Sequence, residues 1–479
     1  MVKRTSSGAD AKPGESSVSR RGFLGAVAGG VSMLGMPGRS AGASESKPDR
    51  RPNFVVIFTD DQGYQDVGCF GSPDINTPCL DKMAAEGRKF TDFHVAAPVC
   101  TPSRAALLTG CYPQRVSLPH VLFPASKSGI SPNEVTIAEL LKTRGYATAC
   151  IGKWHLGHLP PFLPTRHGFD SYFGIPYSND MHSEKRKEPP IPLMRDEKIL
   201  EQPAVQETLT ERYTAEAIKF ITANKDRPFF VYLPHTMPHT PLHVSERFKG
   251  KSKRGLYGDV IECIDWGVGQ ILETLAKLGL DKHTLVVFTS DNGPWLVKRE
   301  HGGAALPLRS GKGTTYEGGM RVPCIMRWSG RIPADSTCGE LTSTMDLLPT
   351  FARLAGAKPP ADRVIDGKDI WPLMAGAKGA KTPHDAFFYY HGLHLQAVRS
   401  GDWKLILERT EKRRGKKPPR KIAQALYNLG EDIGERNDVS AAHPDVVKRL
   451  LALAQQCRED LGDSSKSILG KGRRLAATL

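Results

Sequence analysis

The stretch NFVVIFTDD, Asn53 to Asp61, runs through seven mostly β-branched and aromatic residues and ends in two aspartates. A short apolar run with no polar face must be covered on both sides, as a parallel strand of an α/β sheet is. Three other runs share the texture: YATACIG (146–152), FFVYL (229–233) and LVVFTS (285–290). Between them lie stretches of helical period: TIAELLKTRG (136–145) with Gly145 as a stop, TERYTAEAIKFITANK (210–225), and YGDVIECIDWGVGQILETLAKLG (257–279) ended by Gly279. Each precedes a strand, as a right-handed crossover requires. The fold expected is α/β, a large mixed but mostly parallel sheet flanked by helices.

At 479 residues and 39% hydrophobic content the chain can build one large domain and a smaller one. Toward the C-terminus the alternation gives way to HDAFFYYHGLHLQAVRSGDWKLIL (384–407), two strand-like runs with turn signals at Gly392 and Gly401. This predicts a small antiparallel sheet, with a hairpin carrying the basic run ERTEKRRGKKPPRK (408–421), closed by the helix PDVVKRLLALAQQC (444–457). Proline and charge make EKRKEPPIPLMRDEKILEQP (184–203) a long excursion. The organisation expected is a catalytic domain over 50–375, a C-terminal subdomain over 376–465 and a tail over 466–479.

Ahead of these, SRRGFL (19–24) is followed by the apolar AVAGGVSMLGM and the small-residue run SAGAS. That is the order of a twin-arginine export signal over residues 1–43, cleaved after Ala43. Its apolar run is too short to span a bilayer, so the expectation is a periplasmic or secreted bacterial protein, a client of the twin-arginine translocase, with no stable membrane insertion. The formal charge of +15 owes four units to that segment, and much of the rest to the basic run, with eight basic and two acidic residues. Such a run suits a solvated loop or a polyanion-facing surface; no nucleic-acid partner is expected. Nine cysteines, an odd number without a C-x-x-C pair, fit neither a zinc ribbon nor a dense disulfide framework.

In open α/β sheets ligands bind beyond the carboxyl ends of the strands. The residues there are Asp60 and Asp61 after the first run, and Lys153, Trp154 and His155 after the second. PHTMPHTPLH follows the third, with His235, His239 and His243; Asp291, Asn292 and Gly293 follow the fourth, and GKGTTYEGG with Lys312 comes soon after. Singly, each aspartate could cap a turn and each histidine could be a structural hydrogen-bonder. Together, Asp60, Asp61, Asp291 and Asn292 are hard oxygen ligands that select Ca²⁺ or Mg²⁺ over zinc, set opposite cations suited to an oxyanion.

The stretch CTPSRAALLTG (100–110) reads as a helix starting beside Cys100, with Pro102 in its first turn and Gly110 at its stop. Arg104 then lies one turn on, on the same face, and can reach back. A cysteine at a helix N-terminus could be a low-pKa nucleophile, a buried structural thiol or half of a disulfide.

These stretches identify a resemblance to the type I, formylglycine-dependent sulfatases of the alkaline phosphatase-like superfamily, on the branch of arylsulfatase A and N-acetylgalactosamine-6-sulfatase. It is carried by C-x-P-S-R followed by L-x-T-G at 100–110, by GKWHLG (152–157), PHTPLH (238–243), DNGPW (291–295) and GKGTTYEGGMRVP (311–323), and by VIDGKDIWPLMAG and VRSGDWKLI further on. The resemblance implies hydrolysis of sulfate monoesters of a sulfated carbohydrate or an aryl sulfate. It also implies that a formylglycine-generating enzyme oxidises Cys100 to formylglycine (3-oxoalanine), whose hydrate attacks sulfur through one hydroxyl and expels sulfate once the other loses its proton. By matching position, Asp60, Asp61, Asp291, Asn292 and the modified Cys100 would hold Ca²⁺, with Asp291 as base for attack. Arg104 and Lys153 would stabilise the ionised hydrate and His155 would accept the second proton. Lys153, His239 and Lys312 would bind the sulfate, His239 or Lys312 protonating the leaving alcohol, with His235 a second candidate for the place of His239. His391 and His394 are candidates for gripping the leaving group. Two alternatives stay open: a phosphonate or phosphate monoester hydrolase with the same site, and an inactive sulfated-polyanion-binding protein.

Overall fold

The computed structural model describes residues 50–411 and 418–479, so the export-signal reading and the centre of the basic run, 412–417, lie outside the described residues. The four apolar runs are adjacent strands at the middle of a ten-stranded sheet. Asn53–Thr59 pairs in parallel with Thr284–Ser290 on one side and Phe229–Pro234 on the other, and Ala147–Ile151 follows outward. A fifth parallel strand, Ser171–Gly174, comes next. Successive side chains point to opposite faces. Phe54, Val56 and Phe58 join one apolar cluster with the helices Cys100–Thr109, Ile137–Lys142 and Leu347–Ala355. Val55 and Ile57 join another with Leu209–Ala223 and Leu256–Lys277. Burying each such side chain is worth roughly 1.5–3 kcal/mol, which is why the central strands tolerate no polar face.

Antiparallel pairing enters toward both edges, although the outermost strand on one side, Ser336–Cys338, pairs in parallel with its neighbour Arg88–Phe90. Beyond Thr284–Ser290 lies Cys324–Arg327, paired with Arg88–Phe90. At the other edge Leu193–Arg195 and Lys198–Glu201 form a hairpin on Ser171–Gly174, so part of 184–203 belongs to the sheet and is no excursion. No proline falls between 192 and 203, Leu193 and Met194 are buried, and Asp196, at φ 53°, makes the turn and accepts the Tyr172 amide at 2.9 Å.

The C-terminal sheet has four antiparallel strands, Phe387–His391, His394–Ser400, Trp403–Ile406 and Ala425–Asn428. Turns at Gly392 and Gly401 therefore cut 384–407 into three strands rather than two. Arg409–Glu411 pairs with Arg420–Ile422, flanking the basic segment, and the helix Pro444–Leu461 covers the sheet through Leu450, Ala454 and Cys457. The chain end returns to the first part: Arg474 bridges Glu134 at 2.7 Å, and Ala477–Thr478 pairs with Ser128–Gly129.

One glycine positions the site directly. Gly152, at φ 134°, directly follows the strand Ala147–Ile151, and a Cβ there would collide with the Pro234 carbonyl oxygen. That carbonyl instead accepts the Lys153 amide at 2.7 Å, while Trp154 and His155 donate to Ile175 and Pro176 at 3.0 and 3.1 Å. Gly152→Val should cost about 2–4 kcal/mol through overpacking and the left-handed backbone, read as a lowered denaturation midpoint. An unchanged midpoint would mean that the strand ends can spread.

Candidate active site

The predicted strand-end residues converge. Asp60 and Asp61 leave the first strand, with Asp61 turned by a left-handed backbone (φ 66°). His155, after Ala147–Ile151, is likewise left-handed (φ 58°). Non-glycine residues hold this conformation at a cost of about 1–3 kcal/mol each, and here it aims two side chains into one crevice. The Asp61 amide donates to Asp291 Oδ1 at 3.1 Å, tying the first and fourth strand ends together.

Helix Cys100–Thr109 enters this crevice by its N-terminus. All ten of its residues are buried, and Gly110 closes it in the left-handed conformation expected of a helix stop. Arg104 reaches back as its spacing predicts: Nη2 lies 2.7 Å from Asp291 Oδ2 and 3.1 Å from Asp60 Oδ2, and Nη1 donates to the Lys153 carbonyl at 3.0 Å. Lys153 Nζ bonds Asp60 and donates to Ser178 Oγ at 3.1 Å. Lys312 Nζ sits 2.6 Å from Asp61 Oδ1 and 4.5 Å from the centroid of the Trp295 ring, over its face.

The two histidines have assigned faces. The ring nitrogen Nε2 of His155 lies 2.9 Å from the Leu122 carbonyl, an acceptor, so Nε2 carries the proton and Nδ1 is bare. That Nδ1 is buried without a partner, a lone pair in reserve. In His239, Nδ1 lies 2.7 Å from the Thr240 carbonyl and 3.0 Å from Asn179 Oδ1, so Nε2 is the bare nitrogen; it faces Asp61 Oδ2 at 3.7 Å. His235 is buried away from this cluster beside Tyr213, and His243 pairs with Glu207 at 2.9 Å. His391 and His394 stand apart from the carboxylates, in a cavity beside the Lys312 loop.

Burial sets the electrostatics. It pushes the Cys100 thiol up, against the pull of Lys153 and Lys312, so the helix N-terminus does not make a low-pKa thiolate. Burial also raises Asp61, and it lifts Asp291 to about 7 with help from the charge of Asp60. For Asp60, burial is outweighed by Lys153 and Arg104, which hold it well below the usual carboxylate range. Both histidines are driven well below their ordinary value by burial, reinforced by Lys153 and Arg104 at His155 and by Lys312 at His239. Asp61 keeps Lys312 charged despite its burial.

The oxygen set fits a hard cation. Asp60 Oδ1 and Asn292 Oδ1 are buried acceptors with no hydrogen-bond partner, and ligand atoms of Asp60, Asp61 and His239 lie within 4.8 Å of one another. Three carboxylates, Asp60, Asp61 and Asp291, face three cations, Arg104, Lys153 and Lys312. A dication would leave room for two further negative charges.

Ser178, Asn179, Leu122 and Trp295, which orient these groups, did not stand out as site residues in the sequence. The signal for the first two was the strand Ser171–Gly174 just before them, too short to register as a strand.

Residues 52–357 match the family model described as Sulfatase, and residues 311–456 match the one described as N-sulphoglucosamine sulphohydrolase, C-terminal. The chain is 39% identical over 460 residues to arylsulfatase A of Homo sapiens, covering 86% of this chain and 88% of that one. It is 38% identical over 472 residues to N-acetylgalactosamine-6-sulfatase of Canis lupus familiaris, covering 88% of each. Among solved structures it superposes on Ps i-CgsB in complex with k-i-k-neocarrahexaose with a TM-score of 0.73 at 32% identity, covering 88% of this chain and 95% of that one.

Were Asp291 to ligate a cation as a carboxylate, the ion would have to displace its proton below pH about 7. Ca²⁺ affinity should therefore climb as pH rises toward 7 and flatten above it, with about one proton released per ion at the acid end, read by calorimetry in buffers of different ionisation enthalpy. Affinity independent of pH between 5 and 7 would show Asp291 ionised throughout.

Proposed function

Because the chain belongs to the sulfatase family and hydrolyses sulfate esters, we propose that it does so with formylglycine made from Cys100 beside a Ca²⁺ held by Asp60, Asp61, Asp291 and Asn292. The observation that carries this reading is Cys100 itself. It is buried at a helix N-terminus among three cations and three carboxylates, yet its thiol is held protonated, which suits a precursor better than a working thiolate. Formylglycine would supply a carbonyl hydrate, with one hydroxyl to attack sulfur and a second whose loss of a proton re-forms the carbonyl and expels sulfate on the first oxygen, and Ca²⁺ would supply positive charge to the site.

The chain's own groups do the rest. Asp291 takes the proton of the attacking hydroxyl, and Arg104 and Lys153 compensate the charge left behind. His155, neutral with its bare Nδ1, accepts the proton of the second hydroxyl. Lys153, Lys312 and His239 meet the sulfate oxygens, and His239 or Lys312 returns a proton to the leaving oxygen; only Lys312 holds that proton before substrate arrives. A sulfate monoester would bring one negative charge against the two of the dication, and passing the nucleophile's proton to Asp291 only moves charge within the site, so the loaded site stays net positive toward its anionic ester. His391 and His394, on the subdomain over 376–465, face the leaving group.

The helix around Cys100 is wholly buried, so the formylglycine-generating enzyme would have to act on the unfolded C-x-P-S-R stretch. Twin-arginine export, which carries folded proteins, fits that order and a periplasmic or secreted destination. Among the described residues no helix is long and apolar enough to cross a membrane.

In protein from a host with the modifying enzyme, the peptide containing Cys100 should lack a free thiol and react with a hydrazide. Cys100→Ala should have no turnover and Cys100→Ser should stop after one; a fully thiol-bearing Cys100 in active enzyme would overturn the assignment. Lys312→Ala should lower kcat by about 10²–10³-fold. Activity lost to a chelator should return with Ca²⁺ or Mg²⁺, and return with Zn²⁺ alone would refute the oxygen-ligand set.

A further inference from the structure

A cavity of about 490 Å³ opens one residue along the chain from Lys312, between the loop at 310–316 and the C-terminal sheet. Gly313 lies in its wall and donates its amide to the Pro98 carbonyl at 2.9 Å, two residues before Cys100. The facing wall is the turn with His391 and His394 and the hairpin with Arg409 and Arg420. Gln114 Nε2 holds that turn through the Gly392 carbonyl at 2.7 Å, and the loop Gln114 belongs to also supplies the Leu122 carbonyl that orients His155. The cavity is thus framed by the backbone that builds the sulfate site.

Its chemistry is donor-rich. Gln396 is buried, and its Oε1 is occupied by the Thr315 hydroxyl at 3.0 Å, which leaves the amide NH₂ for whatever fills the cavity. Arg409 is neutralised by Glu411, with Nε and Nη2 both at 2.8 Å, so the one acidic side chain of the lining is already engaged. Arg420 is exposed and has no ion pair among the described residues. The eight residues between the hairpin strands, 412–419, hold five basic residues in the sequence and no acidic one. An unpaired guanidinium and a free amide donor, in a wall whose one carboxylate is already engaged, favour an anion.

We propose that this cavity is a second anion subsite, taking a sulfate or carboxylate borne by the leaving-group side of the substrate. The preferred substrate is then an oligosaccharide with at least two anionic groups, one hydrolysed and one held by Arg420 and Gln396. This rests on the reading that Lys312 and His239 hold the reacting sulfate.

Steady-state kinetics on the modified enzyme test it with three esters: an aryl sulfate, an oligosaccharide sulfated only at the cleaved position, and the same oligosaccharide with a second sulfate or a uronate. The second charge should lower KM by about tenfold, less so as salt rises, and comparing the sulfate with the uronate identifies the anion held. Arg420→Ala and Gln396→Leu should remove that advantage while changing kcat/KM on the aryl sulfate by less than about twofold. No advantage for the second charge, or an equal loss on all three esters, would overturn the subsite. If the wild type hydrolyses no sulfate ester, the proposed function fails separately. Calorimetry with the doubly sulfated oligosaccharide then decides the cavity: affinity about tenfold weaker in Arg420→Ala supports it, and unchanged affinity overturns it.

Discussion

Arg104, inserted between Asp60 and Asp291, is the constraint on which the rest of the site depends. Carboxylates at the ends of adjacent buried strands repel each other and cannot be hydrated, so an unpaired one costs several kcal/mol. The guanidinium spans both, at 3.1 and 2.7 Å, and its other arm grips the Lys153 carbonyl. Three strand ends are thereby locked to one helix. Since Arg104 lies one turn beyond Cys100, the same contacts fix where Cys100 points. Lys153 and Lys312 complete the compensation, and each is then poised beside the place an anionic ester would occupy.

A second buried charge network does for the Lys312 loop what Arg104 does for the helix. Glu317, five residues past Lys312, accepts from Lys404 and Tyr389 at 2.9 and 3.0 Å and contacts His94 at 3.0 Å. Lys404 also meets Glu435 at 2.8 Å, and Arg399 clasps Asp92 through two bonds of 2.8 and 2.6 Å. Asp92, His94 and Glu317 lie close enough to hold an ion, but Arg321, Arg399 and Lys404 already balance the carboxylates of the network. Lys404 and Arg399 belong to the C-terminal sheet, so that sheet holds the loop that carries Lys312 in place. A surface salt bridge could not do this, because its partners would exchange with water.

The central strands and their polar ends were legible because both follow from local chemistry. A run such as Val55–Phe58 has one stable place, between two layers of helices, and a carboxylate directly after it has to sit at the strand's end. Cys100, Pro102, Arg104 and Gly110 were legible for the same reason: helix start, reach and stop are set within ten residues. The hairpin of 193–201 was hidden by neighbouring prolines, and Ser171–Gly174 by its brevity. With it went Ser178 and Asn179, whose roles depend on that strand being parallel to the others.

Residue types and spacing by themselves determined the fold class, the cysteine at a helix mouth and the oxygen-rich, cation-flanked character of the site. Only the tertiary structure decided the protonation of the site, because that is set by burial and by contacts distant in sequence. It holds the thiol of Cys100 protonated where a helix N-terminus alone would have lowered its pKa, lifts Asp291 to about 7, and leaves His155 with a bare Nδ1 because the Leu122 carbonyl claims the other nitrogen. It likewise decided that His391 and His394 face a separate cavity, since strand pairing within the C-terminal sheet, and not chain distance, sets where that turn lies.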